Sequence, residues 1–292
     1  MPLRLLFPIS RTPCTNRRIF SARRVKSQMG VENLSLIQKT KHASFRLINV
    51  SGFKTDLLEI HSQEQKLHVL FIPGNPGIGH IAHSEKDWES GRLFSLQEQI
   101  SHKRSFIEQE LEDVQVPIVL VGHSIGAYIS LEIFRRYHEK VIYCIGLYPF
   151  LALNAESSTQ SSIKGLAASS ALCAAVSSMG PLLGMLPVYI SRFLVKESMG
   201  KSWSFSTVDA MHPCSPVSYN PNILFMAMTE FQEMPEKPDW DFLRRKKSQV
   251  AFVLALMITG SHAFIRREAG SLWVAQHVSS LIKNNIENAK SI

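Results

Sequence analysis

Acidic residues are missing from the first 31 positions of this 292-residue chain; Glu32 is the first. Arg4, Arg11, Arg17, Arg18, Arg23, Arg24 and Lys26 stand in that stretch unopposed. They carry +7 of the formal net charge of +8, which leaves about +1 for the rest of the chain. A near-neutral body excludes the broad basic surface that a nucleic-acid partner requires. Cysteine is scarce too. Cys14, Cys144, Cys173 and Cys214 have no paired spacing, which argues against a disulfide framework and against a cysteine-based metal site. No motif implies a cofactor. The leader has no long apolar core, so it is a poor secretory signal. Its Arg-rich, acid-poor composition over residues 1–40 fits a disordered basic segment or an organellar transit segment. Charge disappears again between Lys164 and Arg192, over 27 residues. Gly180-Pro181 and Pro187 interrupt that stretch, which argues against a membrane span and for two short apolar helices. These are read as buried lid or core helices, or as a hairpin that contacts lipid.

What remains has the grammar of an α/β protein. Phe45–Val50 and Leu57–His61 alternate as strands around Ser51-Gly52 and predict an opening hairpin. Leu67–Ile72 predicts a buried strand that ends in the breaker cluster Pro73-Gly74-Asn75-Pro76-Gly77. Leu93–Asp113 predicts a helix with Phe94, Ile100, Phe106, Ile107 and Leu111 inward. Val116–Val121, a helix from Ala127, and a strand over Lys140–Tyr148 follow. This is a βαβ succession, which predicts a mostly parallel sheet with helices on both faces. Asn222–Thr229 reads as another strand, Glu236–Lys247 as an exposed charged segment around Trp240, and Val250–Thr259 as an apolar run. A last helix over Ala269–Lys283 is expected to turn Leu272, Trp273, Ala275, Val278, Leu281 and Ile282 inward. The organisation expected is a leader over 1–40, a core over 41–150, an apolar helical lid over 151–221, a second part of the core over 222–285, and a tail over 286–292.

Gly122-His123-Ser124-Ile125-Gly126 sits between a predicted strand and a predicted helix. That context makes G-x-S-x-G a candidate nucleophile elbow, a tight turn that lifts a serine hydroxyl above the sheet. A serine hydroxyl is a weak nucleophile and needs an imidazole within reach, itself oriented by an acid. His262 lies in a loop after the last strand signal and before the last helix, and is the candidate base. An oxyanion hole needs backbone N–H groups. Ile125, after the serine, and Gly74 or Asn75, in the breaker cluster, are the candidate donors.

Leu70–Gly77, His83–Trp88, Gly91–Gln97, Val121–Tyr128, Ser261–Phe264 and Ala269–Ala275 together resemble the lipid-droplet-associated hydrolase family of the α/β-hydrolase superfamily, and within it a plant member with internal deletions. The resemblance covers most of residues 45–283. It implies an α/β-hydrolase fold and a serine hydrolase of lipid esters, sterol esters among them. It implies action at lipid droplets or the endoplasmic reticulum in lipid storage, with the 150–195 region facing the lipid surface. If the basic leader is a transit segment, an organellar location is the alternative.

Two departures from the family pattern stand out. Between the strand at 67–72 and the strand at 116–121 there is one helix where a helix, a strand and a second helix are expected, so a strand–helix unit is missing. The loop that carries the acid is also missing, joined out between about Ala255 and Gly260; no Asp or Glu lies between Asp241 and His262. The acid is therefore not identified. Glu230 is a candidate, with Asp239 and Asp241 behind it. A thioesterase or another acyl-transfer enzyme would share the same site. The other reading is a catalytically impaired splice or gene-model variant that only binds lipid or a partner.

Overall fold

A computed structural model describes residues 4–8, 43–60, 66–75, 93–112, 115–169, 221–254 and 268–289. Its strands are β1 (Arg4–Pro8), β2 (Ala43–Val50), β3 (Phe53–Ile60), β4 (His68–Ile72), β5 (Ile118–His123), β6 (Val141–Leu147) and β7 (Val250–Val253). They form one seven-stranded sheet in the order β2-β3-β1-β4-β5-β6-β7. The β2–β3 and β3–β1 pairs are antiparallel; from β1 through β7 every pair is parallel. The helices are α1 (Leu96–Leu111), α2 (Ile125–Arg136), α3 (Ser158–Ala167), α4 (Pro221–Glu233), α5 (Trp240–Arg245) and α6 (Glu268–Ala289).

The core follows from the run of apolar residues in the central strands. Ile118, Val119, Leu120 and Val121 of β5 are all buried, as a parallel strand covered on both faces requires. Alternation sends Ile72, Ile118, Leu120 and Cys144 to one face, where α1, α2, α4 and α5 pack with Phe106, Ile129, Phe134, Met226 and Phe242. Val69, Val119, Val121 and Ile145 go to the other face, where α6 packs with Val274 and Ile282. Burial pushes the Cys144 thiol up to about 12, so it is an inert core residue.

The predicted helix at 93–113 is α1, and a capping box starts it. Ser95 Oγ accepts from Glu98 N at 3.3 Å, and Glu98 Oε2 accepts from Ser95 N at 2.9 Å. The five expected inward residues are all buried. Buried polar groups also lie along this helix, and they fasten it to the opening hairpin. His102 Nε2 lies 2.9 Å from Thr55 Oγ1, and Lys103 Nζ lies 3.4 Å from His102 Nδ1 and 3.5 Å from Gln99 Oε1. A neutral imidazole satisfies the chain: the ammonium donates to Nδ1, Nε2–H donates to Thr55, and Thr55 donates to Phe53 O at 3.3 Å. Burial first, and the Lys103 charge second, push His102 down from 6.5 to about 2. On the rim, Arg46 donates to Glu110 at 2.6 Å, and Gln109 donates to Asn49 O at 2.7 Å.

Three expectations are corrected. Asn222–Thr229 is not a strand but part of the helix α4. The run has a single β-branched residue before Thr229; Leu224, Met226, Ala227 and Met228 are good helix formers, and Pro221 stands at the first helical position, where its missing N–H costs nothing. On α6 the inward face is centred on Val274 and Ile282, with Val278 and Leu281 half-buried. Leu272 and Trp273 are exposed, and so is Ala275. The ring of Trp273 instead stacks on His277 at 5.2 Å. Finally, residues 4–8, expected within a disordered leader, are a strand in the interior of the sheet. The lid expectation falls largely outside the described residues. Within them, α3 packs on α4 through Ala167 and Met228, and no described helix is long and apolar enough to cross a membrane.

The buried neutral His102 sets a pH dependence. Its folded pKa is lowered, so the unfolded chain binds the proton more readily. Its contribution to stability is present above about pH 6.5 and is lost as pH falls toward 2. Urea unfolding between pH 7 and 4 should show a shallower loss in His102→Gln than in the parent chain.

Candidate active site

The turn at Ser124 is built by what its neighbours lack. β5 runs into Ser124 and α2 begins at Ile125, so the chain reverses direction over one residue. Ser124 takes φ 55° and ψ −123°, a left-handed backbone that non-glycine residues rarely adopt. A Cβ on Gly122 would lie 2.2 Å from Gly126 O, and a Cβ on Gly126 would lie 2.2 Å from Ile72 O. Both glycines are needed because backbone fills the space where a side chain would begin. The turn is held by Ser124 N donating to Leu147 O at 3.0 Å, and by Ser124 O accepting from Ala127 N at 3.0 Å and Phe150 N at 3.2 Å.

The loop after β4 reaches this turn. A Cβ on Gly74 would lie 3.0 Å from Ser124 Cβ, from His123 O and from His123 Nδ1. Gly74 and Ser124, 50 positions apart in sequence, are therefore in contact. The N–H of Ile125 belongs to the first turn of α2, where backbone donors have no acceptor within the helix. The side chain of His123 meets Tyr148 edge-on at 6.4 Å.

Asn75 is tied to a residue that sequence reasoning put to another use. Its Nδ2 donates to Glu230 Oε1 at 3.1 Å. Glu230 is buried on α4, and burial pushes its carboxyl up from 4.5 to about 8 despite the Asn75 donor. A neutral carboxyl suits a partner for an amide; an acid that orients an imidazole works as the anion. The neighbouring Thr229 Oγ1 accepts from Leu96 N at 3.0 Å, so two successive residues of α4 hold the loop after β4 and the start of α1. No local sequence signal foretold this pairing, which joins positions 155 residues apart. A water-sized cavity borders Gly74, lined also by Pro73, Gln99, Lys103 and Met226.

Of the expected site residues, the structure brings together Ser124, Ile125, Gly74 and Asn75, with Glu230 against Asn75. His262 lies outside the described residues, as do Pro76 and Gly77. Asp239 caps α5 by accepting from Phe242 N at 2.9 Å and pairs with Arg135 at 3.0 Å. Asp241 is exposed and pairs with Arg244 at 2.5 Å. Both have structural work on α5.

Comparison with known proteins shows the family and the fold. A family model described as lipid-droplet associated hydrolase matches residues 77–258. A lipid droplet-associated hydrolase of Gallus gallus is 28% identical over 151 residues, covering 50% of this chain and 45% of that protein. One of Dictyostelium discoideum is 37% identical over 82 residues, covering 25% of this chain and 26% of that protein. The chain thus spans less than half the length of these curated relatives. Among solved structures, an epoxide hydrolase from Vigna radiata superposes with a TM-score of 0.53 at 14% identity, over 84% of this chain and 99% of that one. A membrane phospholipase A superposes with a TM-score of 0.51 at 12% identity, over 86% of this chain and 91% of that one. At such identities the likeness establishes the fold, an α/β-hydrolase sheet with helices on both faces.

Two measurements check this geometry. Gly126→Ala forces a Cβ onto a carbonyl oxygen and should destabilise by at least about 2–3 kcal/mol, the upper range for overpacking. Gly52→Ala has open space and only a φ of 89° to overcome, so it should cost about 1–2 kcal/mol; equal costs in thermal melts would contradict the close approach. For Glu230, the raised pKa means that stability is full below about pH 4.5 and is lost as pH rises through about 8. Glu230→Gln should flatten that decline.

Proposed function

Because the chain belongs to the lipid-droplet associated hydrolase family, whose model matches well over half of it, we propose that it is a serine hydrolase of lipid esters. Ser124 is the nucleophile of a nucleophile elbow, and sterol esters or other carboxylic esters are the substrates. The single observation that carries the reading is the left-handed Ser124 with Gly74 packed against it. That pairing supports the reading, since an acyl-transfer site needs a hydroxyl beside two sources of backbone N–H.

In this mechanism Ser124 Oγ attacks the ester carbonyl while His262 takes its proton. The oxyanion that forms accepts from the N–H of Ile125 and from that of Gly74 or Asn75. His262 then gives the proton to the leaving alcohol, and water releases the acyl group by the same steps in reverse roles. Glu230, neutral and bonded to the Asn75 amide, positions the oxyanion loop. The surface through which the protein meets a lipid droplet or the endoplasmic reticulum is the 150–195 region, in keeping with its 27 uncharged residues between Lys164 and Arg192. A role in lipid storage follows from this reading.

A second reading has an observation of its own. The candidate acid Glu230 is engaged with Asn75, and Asp239 and Asp241 are engaged on α5. An imidazole without an orienting anion loses about four orders of magnitude in turnover. The chain would then be a catalytically impaired variant that binds lipid or a partner.

A fluorophosphonate probe separates the two. Labelling of the folded chain that vanishes in Ser124→Ala is expected, together with hydrolysis of a short-chain p-nitrophenyl ester. Labelling that persists in Ser124→Ala would refute the nucleophile assignment. Labelling with ester turnover at the level of Ser124→Ala would favour the impaired variant.

A further inference from the structure

The position of β1 is unusual for a segment within a basic leader. Arg4–Pro8 does not lie on an edge; it fills the interior slot between β3 and β4. On one side it pairs antiparallel with β3, Leu5 opposite Ile60, Leu6 opposite Glu59, Phe7 opposite Leu58 and Pro8 opposite Leu57. On the other it pairs parallel with β4, Arg4 opposite His68, Leu5 opposite Val69 and Leu6 opposite Leu70. The sequence fits a short interior strand. Leu5-Leu6-Phe7 is a continuous apolar run, as strands covered on both faces show. Pro8, which has no N–H, stands at the strand's end, past its pairing with β4, where no second ladder needs a donor.

β3 and β4 are consecutive in sequence, joined only by residues 61–67, yet they do not pair with each other among the described residues. β3 and β4 therefore flank a slot one strand wide, which β1 occupies. The described residues between β4 and β5 contain no strand to fill it, and the departure from the family pattern leads to the expectation that a strand–helix unit is missing from that interval. Without β1, the inner edges of β3 and β4 would present unpaired backbone N–H and C=O groups in the middle of the sheet. The sheet would divide into the hairpin β2–β3 and the four parallel strands β4–β7. A hairpin alone is marginal, but this one stays fastened to α1 through Thr55, Arg46 and Asn49. The slot would therefore remain open as an acceptor for a strand.

We propose that the groove between β3 and β4 is a strand-acceptor site and that its occupant is this chain's own Arg4–Pro8, which completes the sheet in place of the missing internal strand. The leader is then a structural part of the folded protein and is retained in it. Removal of the leader as a transit segment would open the sheet at its centre. This inference goes beyond the hydrolase reading and does not depend on Ser124 having any activity.

The test compares the full chain with Leu6→Pro and with a form lacking residues 2–10, by thermal unfolding followed by circular dichroism. Leu6 pairs on both sides, so proline there deletes an interior donor. Both changes should lower the midpoint by at least about 10 °C or abolish the cooperative transition. A synthetic peptide of residues 2–10, added to the truncated form, should restore the transition, whereas a scrambled peptide should not. An unchanged midpoint in both altered forms would overturn the proposal. Should the truncated form fail to fold, amide exchange on the full chain still decides. The amides of Leu5 and Leu6 should exchange at least about a hundredfold more slowly than in the free peptide. Exchange at the free-peptide rate would overturn the proposal. None of these readouts requires catalysis, so a failed probe experiment at Ser124 leaves them intact.

Discussion

The whole site rests on two backbone approaches that leave no room for a side chain. Gly126 faces the carbonyl of Ile72, and Gly122 faces the carbonyl of Gly126. Through them α2 settles against the end of β4 rather than standing off from it, and β5 can turn into α2 over the single residue Ser124. The left-handed backbone of Ser124 is the strain this packing imposes. It persists because β5 is buried between β4 and β6, and because its backbone is bonded to Leu147 and Phe150. Loosening either approach would move Gly74 and Ser124 apart, since both sit at strand ends that the same contact brings together.

α4 plays the complementary part from above the sheet. Thr229 receives the N–H of Leu96 and Glu230 receives the amide of Asn75. One turn of helix thus fixes the start of α1 and the loop after β4 at once. The cost is a carboxyl taken out of water, which its raised pKa reports. A charged Glu230 would place a negative group beside the loop expected to stabilise a developing oxyanion, so its neutrality and its position belong together. The buried Thr55, His102 and Lys103 do for the hairpin what Thr229 and Glu230 do for the loop. In both places polar side chains, rather than apolar contact alone, decide how two elements meet.

Much of this was legible in the sequence where a local period or a local breaker carried the information. The hairpin around Ser51-Gly52, the strands β4, β5 and β6, the stripe of α1 and the glycine-flanked serine all have their signal within about a dozen residues. α4 is not legible as a helix from its apolar run, which is too short to separate the two periods; Pro221 at its first position is the cue that points to a helix. On α6 the buried face is that of Val274 and Ile282, while the exposed Trp273 stacks on His277 at the helix surface. The contact of Gly74 with Ser124 follows from the proposed chemistry, in which the loop after β4 supplies a backbone donor. The bond from Asn75 to Glu230 was not, because nothing in either neighbourhood hints at the other. β1 was invisible for the same reason: five residues inside a basic leader have no period to read, and their meaning lies in an empty slot formed by distant strands.

That slot has a consequence for the order in which the protein acquires its structure. β1 precedes both of its sheet partners in the chain, yet Arg4 meets His68 and Leu5 meets Ile60. At translation rates of about 5–20 residues per second it waits several seconds before either partner exists. Loop closure over such separations is slow compared with local helix or hairpin formation. The hairpin β2–β3 can form while β1 is still free, and α1 cannot dock before the residues after β4 have appeared. β1 is therefore the late arrival in its own sheet, and the nascent chain carries an unmatched apolar strand through the interval in which it has no place to go.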